Sequence, residues 1–296
     1  MIRHPSLRPK RFARVPFKRA FAAGLVAVSA LAAPTAALAH LLVSPLRAAI
    51  TPGAETVEIE IRNQSERSIK VRASWIELRA EPDGGYTEPE RAAPLRDMAA
   101  SPFLTAAPTE QWLSAGEAFK VKLTVTDRDA WAGGQEKRSH LLIESLPARS
   151  ALRRVSTFDV PLDLILGVSV PVLIKPDGKP AKAKIDAAAF TRQGDGDLAL
   201  EATLRSKSRL SPYGAFEVFW RPEAGAAPLE LAVIENVAVY QDAGGERRVL
   251  APLGYGSFPG GFIDAKFVGR GEYDGVLFDE RSFRIEPPPE DAPPLQ

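Results

Sequence analysis

The 296-residue chain has 38 basic and 37 acidic residues and no cysteine, which excludes disulfides, thiolate chemistry and cysteine-based metal sites. Its first 39 residues contain seven of the basic residues, no acidic residue, and an apolar stretch that ends in Ala37-Leu38-Ala39. This pattern predicts a signal peptide over residues 1–39 and export of the protein, and Pro34 argues against a retained membrane anchor. Removing this segment leaves 31 basic and 37 acidic residues, a net charge of about −6 that argues against a nucleic-acid partner.

The rest of the chain is dominated by apolar residues that alternate with period two, which predicts β-strands. No amphipathic helix longer than two turns is predicted. Turns rich in Gly, Pro, Asn and Asp separate the runs, as in a β-sandwich. The predicted strands cover 57–61, 69–75, 119–125, 140–145, 198–204, 216–220, 233–240, 247–250, 262–267, 275–278 and 282–285.

About 257 residues remain after the signal peptide, enough for two hydrophobic cores. The segment from Lys175 to Pro180 contains two prolines and a glycine, so it is the best candidate for a domain boundary. We therefore predict a first domain over 40–175 and a second over 176–286. The tail, 287–296, contains five prolines and is predicted to be disordered.

An unusually long alternating run lies at the end of the first predicted domain, over residues 158–172. Its even positions are all apolar, whereas its odd positions are mixed. A strand of this composition would present one continuous apolar face about fifteen residues long, and ordinary strands have five or six residues. Such a strand is an aggregation hazard unless another element pairs with it. The apolar residues are Phe158, Val160, Leu162, Leu164, Leu166, Val168, Val170 and Val172.

Residues that could support catalysis are scarce. The sequence has no nucleophile elbow, no phosphate-binding glycine loop and no metal-ligand spacing. His4 would leave with the signal peptide, and His140 lies in an apolar strand, where a structural histidine is expected. We therefore expect no enzyme activity and no cofactor.

His40 supports a different hypothesis, a copper-binding protein. Cleavage after Ala39 would make His40 the N-terminal residue, whose amine and imidazole together could chelate copper. Few other ligands are available, since His140 would be the second imidazole and Met98 the one methionine left. The alternative interpretation is that His40 merely follows the cleavage site.

Several segments together resemble the PapD-like family of periplasmic pilus-assembly chaperones, and within it the archaic or spore-coat-U-type branch. The order and spacing of the segments carry the resemblance, which covers most of the chain after the signal peptide. The segments are Val43-Ser-Pro-Leu-Arg-Ala-Ala-Ile50, Val57-Glu-Ile-Glu-Ile-Arg-Asn63, Ser74-Trp-Ile-Glu77, Arg138-Ser-His-Leu-Leu-Ile-Glu-Ser-Leu-Pro147 and Val172-Leu-Ile-Lys-Pro176.

The resemblance implies two immunoglobulin-like sandwiches set at an angle, and a chaperone that lends its long strand to a pilin-type subunit lacking its own last strand. The donated side chains would be Leu162, Leu164 and Leu166, extended by Val160 and Phe158. It also implies delivery of the subunit to an outer-membrane usher. The free protein could cap its exposed strand by forming a homodimer.

In the family, an arginine of the first strand and a lysine of the long strand bind the terminal carboxylate of the subunit. Arg47 matches the arginine, although its apolar strand neighbours also fit an ordinary surface arginine. Pro171 stands at the lysine position, so this half of the clamp is missing. Lys175 matches a basic family residue at the interdomain hinge and shares a strand face with Pro171, so it is the candidate to replace the lysine.

A third hypothesis is a structural pilus component whose long strand would polymerise with copies of the same chain. A donor strand of that kind normally lies at one end of its domain. The run at 158–172 lies between two predicted domains instead, and this placement favours the chaperone.

Overall fold

The structure is a computed structural model that describes residues 41–89, 98–146, 166–178, 180–194, 196–254 and 257–286. Within these ranges the secondary structure consists of strands and short 3-10 turns. No helix in the described ranges has the length and apolar character needed to cross a membrane. The prediction of an all-β fold is confirmed.

The first sandwich contains two sheets of four and five strands and a separate two-stranded hairpin. Its strands are β1 (Leu41–Ser44), β2 (Ala48–Ile50), β3 (Thr56–Asn63), β4 (Ile69–Ile76), β5 (Arg79–Ala80), β6 (Tyr86–Thr87), β7 (Leu104–Ala107), β8 (Glu110–Leu113), β9 (Ala118–Val125), β10 (Lys137–Leu146) and β11 (Leu166–Ile174). One sheet has the order β1-β3-β9-β7 and the other has the order β2-β11-β10-β4-β8. This division of the strands is that of an immunoglobulin-like sandwich.

The second sandwich is also immunoglobulin-like, with sheets of three and four strands in the orders β12-β13-β16 and β15-β14-β17-β18. Its strands are β12 (Lys184–Arg192), β13 (Leu198–Arg205), β14 (Tyr213–Arg221), β15 (Leu229–Ala238), β16 (Glu246–Pro252), β17 (Gly261–Gly269) and β18 (Leu277–Ile285).

Each sandwich has its own hydrophobic core, built by the predicted alternation. In β9, Val121 and Leu123 are fully buried, while Lys120 and Lys122, on either side of Val121, are exposed. The core of the first sandwich extends along the chain to Ile174, and that of the second begins at Ala183. The segment between these cores contains the predicted boundary, whose exact position stays a prediction.

Two predicted elements differ from the structure. The separate short strands expected at 275–278 and 282–285 are one strand, β18, because its pairing with β17 continues through the polar residues between them. Arg47 was expected within the first strand after the signal peptide, among apolar neighbours. It lies instead in a bend between β1 and β2, which belong to different sheets. Pro45, which has no backbone N–H and cannot continue the β1 ladder, begins this crossing.

Candidate functional site

The outer edge of β11 lacks a strand partner along most of its described length. On one side β11 pairs with β10 from Leu166 to Ile174. On the other side it pairs with β2 in parallel, but only from Val172 to Ile174. Within the described residues, the edge from Leu166 to Pro171 is therefore open, and unpaired N–H and C=O groups of this kind can pair with an added strand.

The alternation of backbone directions shows which residues face this open edge. The Lys175 N–H donates to the Ile50 carbonyl at 2.8 Å, on the β2 side. Since successive residues of a strand point their backbone groups to opposite sides, the N–H groups of Ser169 and Gly167 point to the open edge. Pro171 has the same parity, so its missing N–H removes no bond to β10, which explains why a proline is tolerated here.

The even-numbered side chains of β11 form part of the first core. Val170, Val172 and Ile174 are fully buried, and Val168 packs against the same cluster. The described ladder between β10 and β11 begins at Leu166, opposite Ser145. The predicted donated residues Phe158, Val160, Leu162 and Leu164 lie outside the described residues, and the side chain of Leu166 is not described either. Their role stays a prediction.

Arg47 is a buried cation that forms an ion pair with the partly exposed Glu272 of the second sandwich. Its side chain is 5% exposed, and its Nη1 donates to both carboxylate oxygens of Glu272 at 2.6 and 2.7 Å. Its guanidinium lies 4.2 Å from the centre of the Tyr213 ring. Its Nε and Nη2 atoms are buried and have no hydrogen-bond partner among the described residues. Two nitrogen atoms of the Arg47 guanidinium therefore donate no hydrogen bond to the described residues.

Lys175 also reaches Glu272, so the structure brings both predicted basic residues to one carboxylate. The Lys175 Nζ lies 2.9 Å from Glu272 Oε1, 2.8 Å from the Tyr273 hydroxyl, 3.2 Å from the Ser211 carbonyl and 3.3 Å from Glu136 Oε2. These contacts occupy the three N–H donors of an ammonium group. Lys175 could therefore bind a further carboxylate only by exchanging one of them.

The pKa values of this cluster favour its charged forms. Burial alone would raise the pKa of Glu272, but the cations Arg47 and Lys175 lower it below the ordinary glutamate value. Burial would lower the pKa of Lys175, and Arg47 acts in the same direction, yet Glu136 and Glu272 raise it overall. The cluster therefore remains ionised at neutral pH and joins the two sandwiches.

A second buried ion pair between the sandwiches was not predicted from the sequence. Arg138 Nη2 donates to Asp242 Oδ2 at 2.6 Å, and the two side chains are 9% and 7% exposed. The guanidinium of Arg138 also lies 4.0 Å from the centre of the Tyr240 ring. No sequence motif identifies Glu272 or Asp242 as an ion-pair partner, because each lies in an ordinary polar turn of the second sandwich.

A cleft of about 240 Å³ lies between the open edge of β11 and the second sandwich. Its lining includes Arg47 and the outward-facing Ser169 and Pro171 from the first sandwich. Its other side includes Tyr240 and Arg247, on the second sandwich. The cleft thus joins an open strand edge to basic side chains.

His140 is buried in β10, as expected for a structural histidine. Its exposed fraction is 0%, and neither ring nitrogen has a hydrogen-bond partner among the described residues. The Tyr86 ring contacts it edge-on, with centroids 4.7 Å apart. Burial, with a smaller effect of Arg138, lowers the pKa of His140 to about 3. The imidazole is therefore neutral in the folded protein at neutral and mildly acidic pH.

Replacing His140 with Leu is expected to reduce the sensitivity of folding to acid. The unfolded state gains a proton on His140 below its ordinary pKa of 6.5, whereas the folded state does so only near 3. His140 therefore costs stability as the pH falls between these values. Between pH 6.5 and 4.5, the variant should lose about 2–3 kcal/mol less unfolding free energy than the wild type. Urea unfolding at the two pH values measures this difference, and equal losses would contradict the prediction.

The copper hypothesis receives no support from the described residues, which contain no group of three His, Asp or Glu side chains placed to hold a metal ion. His40 lies outside the described ranges, so its chelate stays a hypothesis. The described second imidazole, that of His140, is enclosed in the first sandwich. Copper titration before and after acetylation of the N-terminal amine is the direct test.

No protein-family model and no curated protein matches the sequence. Similar solved structures include the class 5 fimbriae chaperone CfaA, at TM-score 0.41 and 11% identity over 83% of this chain and 99% of that chain. A complex of the SafA pilin with the SafB chaperone from Salmonella enterica gives TM-score 0.42 and 14% identity over 83% and 96%. The CupB2 chaperone of Pseudomonas aeruginosa gives 0.40 and 8% over 82% and 98%.

Proposed function

We propose that the protein is a periplasmic chaperone that binds pilin-type subunits by donor-strand complementation through residues 158–172 and delivers them to an outer-membrane usher. The observation that carries the proposal is the open edge of β11 from Leu166 to Pro171, which adjoins Arg47. An open edge supplies backbone hydrogen bonds to an added strand, and alternating side chains supply the specificity.

The side chains of β11 support the same proposal. Its even-numbered residues from Val168 to Ile174 belong to the first core or pack against it. Upstream of Val168, the sequence continues the apolar row to Phe158. Sheet pairing with β10 is described only as far as Leu166. We propose that the upstream apolar residues fill the groove of the subunit. Each buried Leu would contribute roughly 1.5–3 kcal/mol.

The direction of β2 indicates how a subunit strand would lie. β2 runs parallel to β11 and pairs with its last three residues, from Val172 to Ile174. A subunit strand that pairs with the preceding residues of β11 in the same direction would end where β2 begins. Arg47 is the residue immediately before β2, so the terminal carboxylate of the subunit would meet its guanidinium.

Lys175 is proposed to assist this contact through Glu272. Its ammonium and the Arg47 guanidinium share the Glu272 carboxylate, which holds the guanidinium in one orientation. Binding of a subunit carboxylate by Lys175 itself would require exchange with Glu272. In the absence of a subunit, the same open edge of β11 could pair with a second copy of the chain, which is the basis for a self-capping homodimer.

A proline at Ser169 tests the proposed strand addition. Ser169→Pro removes an N–H that points to the open edge and leaves the ladder with β10 intact, whereas Ser169→Ala keeps that N–H. Capture from a periplasmic extract, with mass-spectrometric identification, should show a subunit with an immunoglobulin-like sequence on the wild type and on Ser169→Ala. Retention by Ser169→Pro should fall about 3- to 10-fold, since one hydrogen bond is lost. Equal retention by all three proteins, or no such subunit on the wild type, would contradict the proposal.

A further inference from the structure

Arg247 is a partly buried cation that forms no close ion pair among the described residues, although Asp83 lies near enough to act on its charge. It lies on β16 of the second sandwich and lines the cleft opposite Pro171 and Ser169. Its Nε and Nη1 atoms are buried and have no hydrogen-bond partner within the described ranges. No carboxylate among the described residues forms an ion pair with it. Buried donors without partners are costly, so such a group calls for an explanation.

A turn of the first sandwich encloses this guanidinium. Gly84 lies in the turn between β5 and β6, and a Cβ atom at this position would lie 1.2 Å from Arg247 Nη1. The φ angle of Gly84 is +94°, which also favours glycine. The Arg248 N–H donates to the Pro82 carbonyl at 2.6 Å and joins the same turn to β16. The position of Arg247 is therefore determined by packing from both sandwiches.

The acidic side chains around the cleft are bound to other groups. Glu81 accepts a hydrogen bond from Thr87 at 2.9 Å, and Glu246 forms an ion pair with Arg205 at 2.8 Å. Asp83 accepts the Gly85 N–H at 2.9 Å. None of these three carboxylates forms an ion pair with Arg247. Burial lowers the pKa of Arg247, and the opposing effect of the nearby Asp83 does not offset it.

We propose that Arg247 is the second carboxylate-binding residue of the cleft and acts together with Arg47 on the chain-terminal carboxylate of a bound subunit. The inference rests on the proposed function and deepens it, because it supplies from the second sandwich the cation that Pro171 cannot provide. Arg47 has Nε and Nη2 free, and Arg247 has Nε and Nη1 free. A carboxylate has two oxygens and accepts several charge-assisted hydrogen bonds, so it suits two guanidinium groups.

The test uses the full chain and two synthetic probes. One is an N-acetylated tetrapeptide of alternating Thr and Val with a free C-terminal carboxylate, and the other is the same peptide with a C-terminal amide. Side-chain Nε–H signals of arginine, followed by NMR, report on binding. We expect the carboxylate peptide to shift the signals of Arg47 and Arg247 with one common Kd. The amide peptide should bind at least about 10-fold more weakly.

Arg247→Gln is expected to weaken binding of the carboxylate peptide about 10-fold and to leave the amide peptide unaffected. Arg247→Lys keeps the charge and should retain part of the preference. Arg248→Gln is the matched control, because it removes the same charge from the adjacent, exposed position of β16. Thermal unfolding of each variant checks that it is folded. If Arg247→Gln does not fold, a folded Arg247→Lys still tests the proposal.

Equal affinity of the wild type for the two peptides, including no binding of either at millimolar concentration, would overturn the proposal for Arg247. Unchanged carboxylate preference in Arg247→Gln would overturn it as well. The weaker capture of the subunit by Ser169→Pro than by Ser169→Ala does not depend on Arg247. The proposed chaperone function would therefore stand if the Arg247 result alone were negative, and it would fail if capture failed.

Discussion

Replacing Leu164 with Glu is expected to abolish capture of the pilin-type subunit. Under the proposed function, Leu164 enters the apolar groove of the subunit at the centre of the donated row. A carboxylate there would lose its hydration without gaining a partner, at a cost of about 3 kcal/mol or more. The affinity should fall about 100-fold or more. Periplasmic capture by the mature wild-type and variant proteins measures this loss.

The matched control is Ile165→Glu, which places the same charge on the adjacent residue. Adjacent residues of a strand face opposite sides, so this variant should keep the groove contacts and retain the subunit. Loss of the subunit from both variants would show that the alternation does not determine which side chains are donated. An identical set of captured proteins on wild type and Leu164→Glu, with the variant still folded, would rule out strand donation through this residue.

Replacing Glu272 with Gln is expected to cause a large loss of folding stability. The change leaves the buried Arg47 guanidinium without an ion-pair partner among the described residues and removes one of two carboxylates from Lys175. Removal of one member of a buried ion pair typically costs about 3–5 kcal/mol. Glu272 is 21% exposed, so we expect about 2–4 kcal/mol, measured as unfolding free energy in urea at pH 7.

Glu280→Gln serves as the control for Glu272→Gln. Its carboxylate pairs with Lys266 at 3.1 Å on the surface, where the two side chains are 42% and 34% exposed. Such a pair contributes little, so its loss should change the unfolding free energy by less than about 1 kcal/mol. Similar losses in the two variants would contradict a special role for the buried cluster.

The stabilising effect of Glu272 should also depend on pH. The pKa of Glu272 in the folded protein lies below its ordinary value of 4.5. Its contribution is therefore fully present above about pH 4.5 and is lost as the pH falls through the lower folded pKa. The difference in unfolding free energy between wild type and Glu272→Gln should shrink accordingly below pH 4.5. A difference that stays constant from pH 7 to pH 3 would contradict this assignment.

The strands and the all-β class follow from the sequence alone, because side-chain alternation is a local property of the strand. Val121 and Leu123 are buried and the lysines beside them exposed, as the period of two requires. The same pattern predicted the strand that became β11, although the described strand continues to Ile174, two residues beyond the predicted end. Local polarity was a less reliable guide to strand boundaries in β18. This strand runs through a polar stretch, and only its pairing with β17 shows that the stretch is part of one strand.

The cleft was only partly predictable. The position of Arg47 among apolar residues of the first predicted strand, together with the family resemblance, marked it as a candidate. Its partner Glu272 lies 225 positions further along the chain, in a turn that carries no distinguishing motif. Arg247 likewise appears in the sequence as an ordinary strand residue, and its unpaired donors become apparent only when the Gly84 turn packs against it.

The sequence by itself therefore determined the all-β class, the absence of cysteine chemistry and the long apolar row, since these depend on composition and on neighbours along one strand. The tertiary structure alone decided that β2 covers only the end of β11, that Glu272 pairs with both Arg47 and Lys175, and that Arg247 has buried donors without a partner among the described residues. These features arise from contacts between residues far apart in the chain, and burial and charge at such contacts are set by packing that no local pattern specifies.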